Sequence, residues 1–158
     1  MIKITKEKLL KASITGFFST ITIGILTLLT YKTTMGLFLT ASFGASMVLL
    51  YGFPESPFAQ PKNIFFGHLL TALIGILFVN YIHLPIFINI ALAVGIGIFF
   101  MIALDVVHPP AGGNPIMVII GESSYEYLIS PIIFGCLIIL LFGIILNKFI
   151  LKKNYPLK

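Results

Sequence analysis

The chain of 158 residues is 58% hydrophobic and only 9% charged, with a formal net charge of +5. Soluble globular domains carry roughly 25% charged residues, which they need to cover a surface that faces water. The composition therefore excludes an ordinary soluble enzyme, a disordered tail and a nucleic-acid-binding domain, and it predicts that lipid surrounds most of the chain.

Lysines are concentrated on both sides of the apolar part of the chain. Four precede the first apolar run and four follow the last, namely Lys3, Lys6, Lys8, Lys11, Lys148, Lys152, Lys153 and Lys158. Lysine beside a membrane span is enriched on the cytoplasmic side. We therefore predict a multi-pass protein of the cell membrane (plasma or inner) with both termini in the cytoplasm.

The apolar runs and the polar interruptions between them divide the chain into six candidate membrane segments. In chain order these are residues 13–31, 35–53, 64–81, 86–107, 110–121 and 128–147. This pattern predicts an all-α, polytopic membrane protein in which residues 1–158 form a single transmembrane domain. The sole cysteine, Cys136, lies in the sixth segment, which excludes an intramolecular disulfide and a multi-thiolate metal site.

The fifth segment decides the topology. Its twelve residues would rise only about 18 Å as a helix, well short of a hydrocarbon core of about 30 Å. If residues 110–121 cross the membrane, the number of crossings is even and both termini share a side. If they re-enter and return, the number is odd. The lysines near both termini favour the even number.

A weak internal repeat indicates the same layout. Residues 66–76 match residues 134–144, and the same offset aligns 44–46 with 112–114. Two halves of three segments each must have opposite orientations, which is the inverted-repeat design of many transporters. The alternative is chance similarity between apolar helices that are rich in glycine.

The repeat predicts two halves, at about residues 12–83 and 84–150. It also predicts short broken helices, or half-helices, at residues 44–51 and 110–121. We expect the two half-helices to approach each other near the middle of the membrane, with their N-terminal ends turned toward a shared polar cavity.

Two stripes of small residues at four-residue spacing lie on the first and third segments. They are Gly16, Thr20 and Gly24, and Gly67, Thr71 and Gly75. Small residues let helix backbones approach closely in lipid, where no hydrophobic effect drives helices together. We predict that both stripes are packing faces.

Two clusters of polar residues interrupt the apolar pattern. One runs from Thr40 through Lys62 to His68, and the other from Asp105 to Pro115. Polar groups at membrane depth are costly and tend to mark function. Both clusters are therefore candidates for the functional site.

The second cluster should break the helix. A residue before proline is pushed into an extended conformation, and this applies to His108. The new helix then begins either with Pro110 in its first turn or with Asn114 as its N-cap. In both cases the backbone N–H groups of Gly112 and Gly113 would face the break and offer an anion site.

Several separated motifs occur in an order that is specific to one family. They are Gly44-Ala45-Ser46, the stretch Pro54-x-Ser56-Pro57-x-Ala59-Gln60-Pro61, Gly67-His68 and His108-Pro109-Pro110-Ala111-Gly112. Over nearly its whole length the chain resembles the HPP family of integral membrane proteins. Members in chloroplasts and cyanobacteria are associated with nitrite transport, so the resemblance implies a transporter or channel for a small anion.

We predict that polar residues and glycines of both clusters bind the anion or line its pathway. These residues are Ser42, Gly44, Ser46, Lys62, His68, His108, Gly112, Gly113 and Asn114. Backbone N–H groups, an amide and hydroxyls would replace the hydration shell of the ion. A protonatable histidine would add pH dependence, since histidine titrates nearest to neutrality.

Four of the ionisable residues also have a structural interpretation. His108 could bond a carbonyl freed by the two prolines, and His68 could form an interhelical hydrogen bond. Lys62 could extend to the membrane interface as a snorkelling lysine. Asp105 could pair with His108 or with Lys62, or cap the next element.

The leading hypothesis is membrane transport of a small monovalent anion, with nitrite or a similar ion first, by a channel or carrier. The alternatives are a structural or accessory membrane subunit and, less favoured, an intramembrane metal-dependent enzyme. We predict no enzyme activity, metal or other cofactor, because the three histidines lack metal-ligand spacing and no HExxH or GxSxG motif occurs. The expected partners are a small inorganic anion, the lipid bilayer and further copies of this chain, because so short a chain encloses a pathway with difficulty. Nucleic acid is not expected.

Overall fold

The structure is a computed structural model that describes residues 4–34 and 36–157, and over these residues the chain forms six helical segments and no strand. The segments are α1 (Lys6–Lys32), α2 (Ala41–Gly52), α3 (Pro61–Tyr81), α4 (Ile86–Ala103), α5 (Asn114–Ile120) and α6 (Leu128–Ile150). Four of them, α1, α3, α4 and α6, are long and apolar enough to cross a membrane. The predicted all-α, polytopic architecture is confirmed. Lys3 and Lys158, and residue 35 at the start of the predicted second segment, lie outside the described part of the chain.

The first helix is longer than its apolar run. Thr5 caps it, since the Thr5 hydroxyl accepts a hydrogen bond from the backbone N–H of Lys8. Lys32 lies in the last turn, where the negative end of the helix dipole stabilises a cation. The lysine-rich start, which was predicted to precede the helix, is therefore part of it.

The second segment is a half-helix. The chain is non-helical over residues 36–40, and Gly36 has a φ of 102°, a conformation that suits glycine. The helix then covers only Ala41–Gly52. The predicted half-helix at residues 44–51 is confirmed and begins slightly earlier than expected.

The break before the fifth segment follows from its prolines. The fourth helix ends at Ala103, and His108 is extended with φ −133° and ψ 99°, as a residue before proline should be. A 3₁₀ turn over Pro109–Gly113 leads directly into α5. Asn114 is the first residue of this helix and not its N-cap, because its side chain is used for contacts with other helices.

At one end of the bundle, the start of α1 and the residues after α6 both contact the loop of residues 53–60. The ammonium group of Lys11 lies 4.5 Å from the centroid of the Phe53 ring. The Tyr155 hydroxyl donates to the carbonyl of Ala59, at 2.9 Å. Both contacts are made to the loop of residues 53–60. We call this the basal end.

The opposite, apical end holds the connection between α3 and α4 and the connection that follows α5. The Tyr125 hydroxyl lies 3.4 Å from the Tyr81 hydroxyl, and Glu122 lines a cavity together with His83. Because residue 105 lies beside Lys62 at the basal end, the chain between residues 105 and 121 runs from one end to the other. The fifth segment therefore crosses the bundle.

Glycines show a repeated packing arrangement. A Cβ on Gly75 of α3 would lie 2.9 Å from Val118 Cβ in α5, and a Cβ on Gly143 of α6 would lie 2.6 Å from a Leu50 methyl group in α2. Both glycines and both partners are separated by the same offset of 68 residues. These matched contacts support an inverted repeat in which each long helix packs on the half-helix of the other half.

The two predicted stripes of small residues differ. On α3, Gly67 and Gly75 are in tight contact with the chain around α5, as expected of a packing face. On α1, a Cβ on Gly16 or Gly24 would meet no atom of the described chain within 4 Å. The prediction of a packing face on α1 is therefore wrong for contacts within the described chain.

Candidate functional site

Six polar side chains are buried together where α2, α3 and α5 meet, and we call them the polar cluster. They are Ser42, Ser46, His68, Thr71, His108 and Asn114. Ser42 is the most exposed of them, at 7%. Buried polar groups are costly unless they are hydrogen-bonded, and each of these side chains has partners inside the cluster.

Asn114 connects three helices. Its Oδ1 accepts a hydrogen bond of 2.7 Å from the Ser42 hydroxyl of α2. Its Nδ2 donates to the His68 carbonyl and to Thr71 Oγ1 of α3, at 3.1 and 3.0 Å, and lies 3.0 Å from His68 Nδ1. The side chain that begins one half-helix is thus bonded to the first turn of the other.

Ser46 bridges the two histidines. Its Oγ lies 3.0 Å from His68 Nε2 and 2.8 Å from His108 Nε2, and also 3.0 Å from the Ser42 carbonyl oxygen. The other ring nitrogen of His108 lies 2.8 Å from the carbonyl oxygen of Phe58, in the loop at the basal end. The cluster therefore continues from the junction of the half-helices to the basal loop.

Local sequence explains why these side chains converge. Ser42 and Ser46 are four residues apart in α2 and share one face of it. Gly67 allows the close approach of His108, because a Cβ there would lie 2.9 Å from His108 Cβ and 3.0 Å from the carbonyl oxygen of Val106. A larger residue at position 67 would therefore collide with the chain around His108, so this position requires glycine.

Of the predicted site residues, Ser42, Ser46, His68, His108 and Asn114 meet in the polar cluster, whereas Gly44 and Lys62 do not. Gly44 is exposed, on another face of α2. Lys62 forms an ion pair of 3.1 Å with Asp105, and the two side chains are 55% and 93% exposed. This contact resolves the alternatives for Asp105 in favour of Lys62 and places the lysine outside the cluster.

Gly112 and Gly113 lie next to Asn114 and are half-buried. A Cβ on either would meet no atom of the described chain within 4 Å. These two glycines therefore border free space beside the cluster.

Two contributors to the site, Thr71 and the Phe58 carbonyl, were not predicted. The spacing of small residues places Thr71 in a packing stripe, although its position three residues after His68 also puts it on the same face of α3 as that histidine. No sequence signal identifies Phe58, because it contributes a backbone atom brought close by the fold.

The half-helices approach each other as predicted, but side chains fill the space between them where a polar cavity was expected. Three cavities, each of which shares lining residues with the next, lie instead along a seam that begins between α1 and α2, with volumes of about 770, 570 and 650 Å³ from the basal to the apical end. Lys8 and Lys11 line the basal one and Glu122 and Glu126 the apical one, and Gly44 lines the first two. None of the six side chains of the polar cluster lines these cavities.

No group of three or more histidine, cysteine, aspartate or glutamate side chains that could hold a metal ion occurs among residues 4–34 and 36–157. The predicted absence of a metal or other cofactor stays a prediction.

Comparisons with known proteins agree on a membrane family. The family model for the HPP transmembrane region matches residues 4–156. A transmembrane protein of Dictyostelium discoideum is 35% identical over 126 residues, which are 75% of this chain and 44% of the relative. A second one from the same organism is 34% identical over 142 residues, which are 84% of this chain and 46% of the relative.

The chain thus spans less than half the length of these two relatives. No solved structure matches. The family match nevertheless covers all six helices and the whole polar cluster. The chain belongs to the HPP family of transmembrane proteins.

Proposed function

We propose that the protein transports a small monovalent anion, nitrite or an ion of similar size, across the cell membrane. The observation that carries this proposal is the polar cluster at the junction of two half-helices, each packed on a long helix of the other half. Polar groups buried at broken helices are typical of transporter binding sites. The family's association with nitrite transport agrees with this choice of substrate class.

The residues at the junction supply the chemistry that an anion needs. The hydroxyls of Ser42 and Ser46 and the amide of Asn114 are donors that can replace water around an ion. Gly112 and Gly113 have no Cβ, so an ion in the free space beside them can approach the backbone closely. None of these groups carries a fixed charge, which lets the ion leave again.

The closed packing of the junction favours a carrier over a channel. The donors of the polar cluster are bonded to one another, and the three cavities along the seam are lined by none of the six side chains. An ion can therefore reach them only when the half-helices separate. Rocking of one repeat against the other around a fixed site would provide such opening to each side in turn.

Two further proposals concern orientation and assembly. We assign the basal end to the cytoplasm, because Lys8, Lys11, Lys152 and Lys153 lie there. We also propose a homo-oligomer that covers the seam beside α1, since only 11% of the apolar 18-residue stretch of this helix is buried within the described chain. The molar mass of the protein–detergent complex, corrected for detergent, tests the second proposal, which a monomer would contradict.

Anion flux into liposomes that contain only this protein tests the transport function. Nitrite, nitrate, formate and chloride are compared with protein-free liposomes. We expect protein-dependent uptake of at least one of them, and a loss of about tenfold or more in Asn114→Leu, because its hydrogen bonds contribute about 1 kcal/mol each.

Asn80→Leu is the matched control. Among the residues that the structure describes, the Asn80 amide bonds the Ile76 carbonyl of its own helix and no other group, and we expect this variant to keep its flux. If correctly folded protein moves none of the four anions, the transport proposal is wrong and a structural or accessory role is favoured instead.

A further inference from the structure

The hydrogen bonds of His108 determine which of its nitrogens carries a proton. A carbonyl oxygen only accepts, so Nδ1, at 2.8 Å from the Phe58 carbonyl, must donate. In a neutral imidazole Nε2 is then a bare acceptor. It lies 2.8 Å from the hydroxyl oxygen of Ser46, which can donate to it.

The tautomer of His68 is fixed in the same way. The Asn114 side-chain atom that faces the His68 carbonyl oxygen must be a donor, so it is the amide nitrogen Nδ2. An amide nitrogen does not accept hydrogen bonds, so His68 Nδ1, which lies 3.0 Å from it, carries no hydrogen in the neutral imidazole. His68 Nε2 therefore carries the hydrogen and donates to Ser46 Oγ, at 3.0 Å.

In the closed, neutral cluster every N–H and O–H donor is bonded within the protein, but there is a place for one additional proton. If a proton binds to His108 Nε2, the Ser46 hydroxyl can turn to the Ser42 carbonyl oxygen, at 3.0 Å. Ser46 Oγ then accepts a hydrogen bond from each histidine. The new N–H of His108 donates to Ser46 Oγ, the other hydrogen bonds are unchanged, and the cluster gains one positive charge.

No acidic side chain lies in the cluster to balance this charge. Besides the two histidines, the ionisable groups on the surrounding elements are Tyr51 of α2, Glu55 of the basal loop, Lys62 and Tyr81 of α3, Asp105 before His108, Cys136 and Lys148 of α6 and Tyr155 after it. Glu55 is exposed, Lys62 and Asp105 pair with each other at the surface, and the hydroxyls of Tyr51 and Tyr155 bond Thr22 and the Ala59 carbonyl. Among the residues of α5 none is ionisable.

An uncompensated charge in such a buried place is costly, and a monovalent anion bound next to the imidazolium would remove the cost. We propose that the histidine pair bridged by Ser46 takes up one proton with each anion, so that the protein is an electroneutral proton–anion cotransporter. This inference rests on the proposed transport function and adds its coupling ion and stoichiometry.

The test measures flux of nitrite and nitrate into liposomes that contain the full chain and a pH-sensitive dye, with protein-free liposomes to subtract the leak of free acid. We expect the interior to acidify as the anion enters. A gradient of about one pH unit should support about tenfold accumulation, because the two gradients are equal in free energy. A membrane potential imposed with potassium and valinomycin should leave the rate unchanged.

The possible failures are distinguishable. Flux that follows the membrane potential without acidification would overturn cotransport and leave the transport function intact. Absence of any protein-dependent flux would overturn both.

Substitutions assign the proton site. His108→Gln should abolish accumulation driven by the pH gradient, whereas His83→Gln should retain it, because His83 is an exposed histidine at the apical end. If His108→Gln does not fold, Ser46→Ala is used in its place. It removes the bridge and should shift the pH at which flux is half-maximal. Unchanged accumulation and an unchanged pH profile in a folded variant would refute the proposed site.

Discussion

Replacing Gly75 by alanine tests the packing of the fifth segment on α3. The new Cβ would lie 2.9 Å from Val118 Cβ and 3.0 Å from the backbone Cα of Pro115. A backbone atom cannot turn away as the end of a flexible side chain can, so α5 must shift. Such overpacking costs about 1–3 kcal/mol.

Gly95→Ala is the matched control in α4, because its Cβ would meet no atom of the described chain within 4 Å. Both substitutions remove a glycine from a helix interior, which stabilises a helix by about 1 kcal/mol at most. This gain in stability is the same for both variants and cancels when their stabilities are compared. We expect Gly75→Ala to be the less stable variant by about 1–3 kcal/mol.

Thermal unfolding in detergent, followed by the loss of the monodisperse size-exclusion peak, measures the difference. About 1 kcal/mol corresponds to about 2–4 °C for a domain of this size, so the two melting temperatures should differ by several degrees. Gly143→Ala should have a smaller effect, because the atoms that its Cβ would meet belong to the Leu50 side chain and include no backbone atom. Equal melting temperatures for Gly75→Ala and Gly95→Ala would contradict the described contact between α3 and α5.

Three further predictions concern topology and transport. Single cysteines at Lys6 and Lys153 should react with an impermeant reagent from the same, cytoplasmic side, and a single cysteine at His83 should react from the other side. Labelling of the first two from opposite sides would refute an even number of crossings. Gly112→Leu should abolish anion flux in liposomes but keep the normal size-exclusion profile, because its side chain enters free space where the ion would bind; full activity would place the pathway elsewhere. Glu126→Ala should leave flux unchanged, because this carboxylate is exposed and its hydrogen bond within the described chain comes from the neighbouring Ser124. A changed rate would assign the apical loop a role in transport.

Much of the architecture could be predicted because lipid imposes a simple rule on sequence. Backbone groups in a bilayer must be satisfied within helices, so apolar runs and their interruptions indicate where the six segments lie. Proline fixed the break at His108 through local sterics, which require no knowledge of the rest of the fold. Helix boundaries were less accurate, since the lysine-rich first turns of α1 are polar and still helical.

The partners of each side chain depended on the tertiary structure. By its sequence Asp105 could pair with His108 or Lys62, and only the approach of α3 to the end of α4 decides for Lys62. The stripes on α1 and α3 look alike, yet only the one on α3 has a neighbour within the described chain, because packing depends on the opposing surface.

The sequence by itself determined that this is a helical membrane protein of the HPP type, with serines, histidines and an asparagine at membrane depth. The tertiary structure decided that Ser46 stands between His68 and His108 and that Asn114 bonds Ser42. Hydrogen bonds extend only about 3 Å, and these residues are separated by 22 to 72 positions along the chain. Only the packing of α2, α3 and the chain from His108 to Asn114 against one another brings them within that distance.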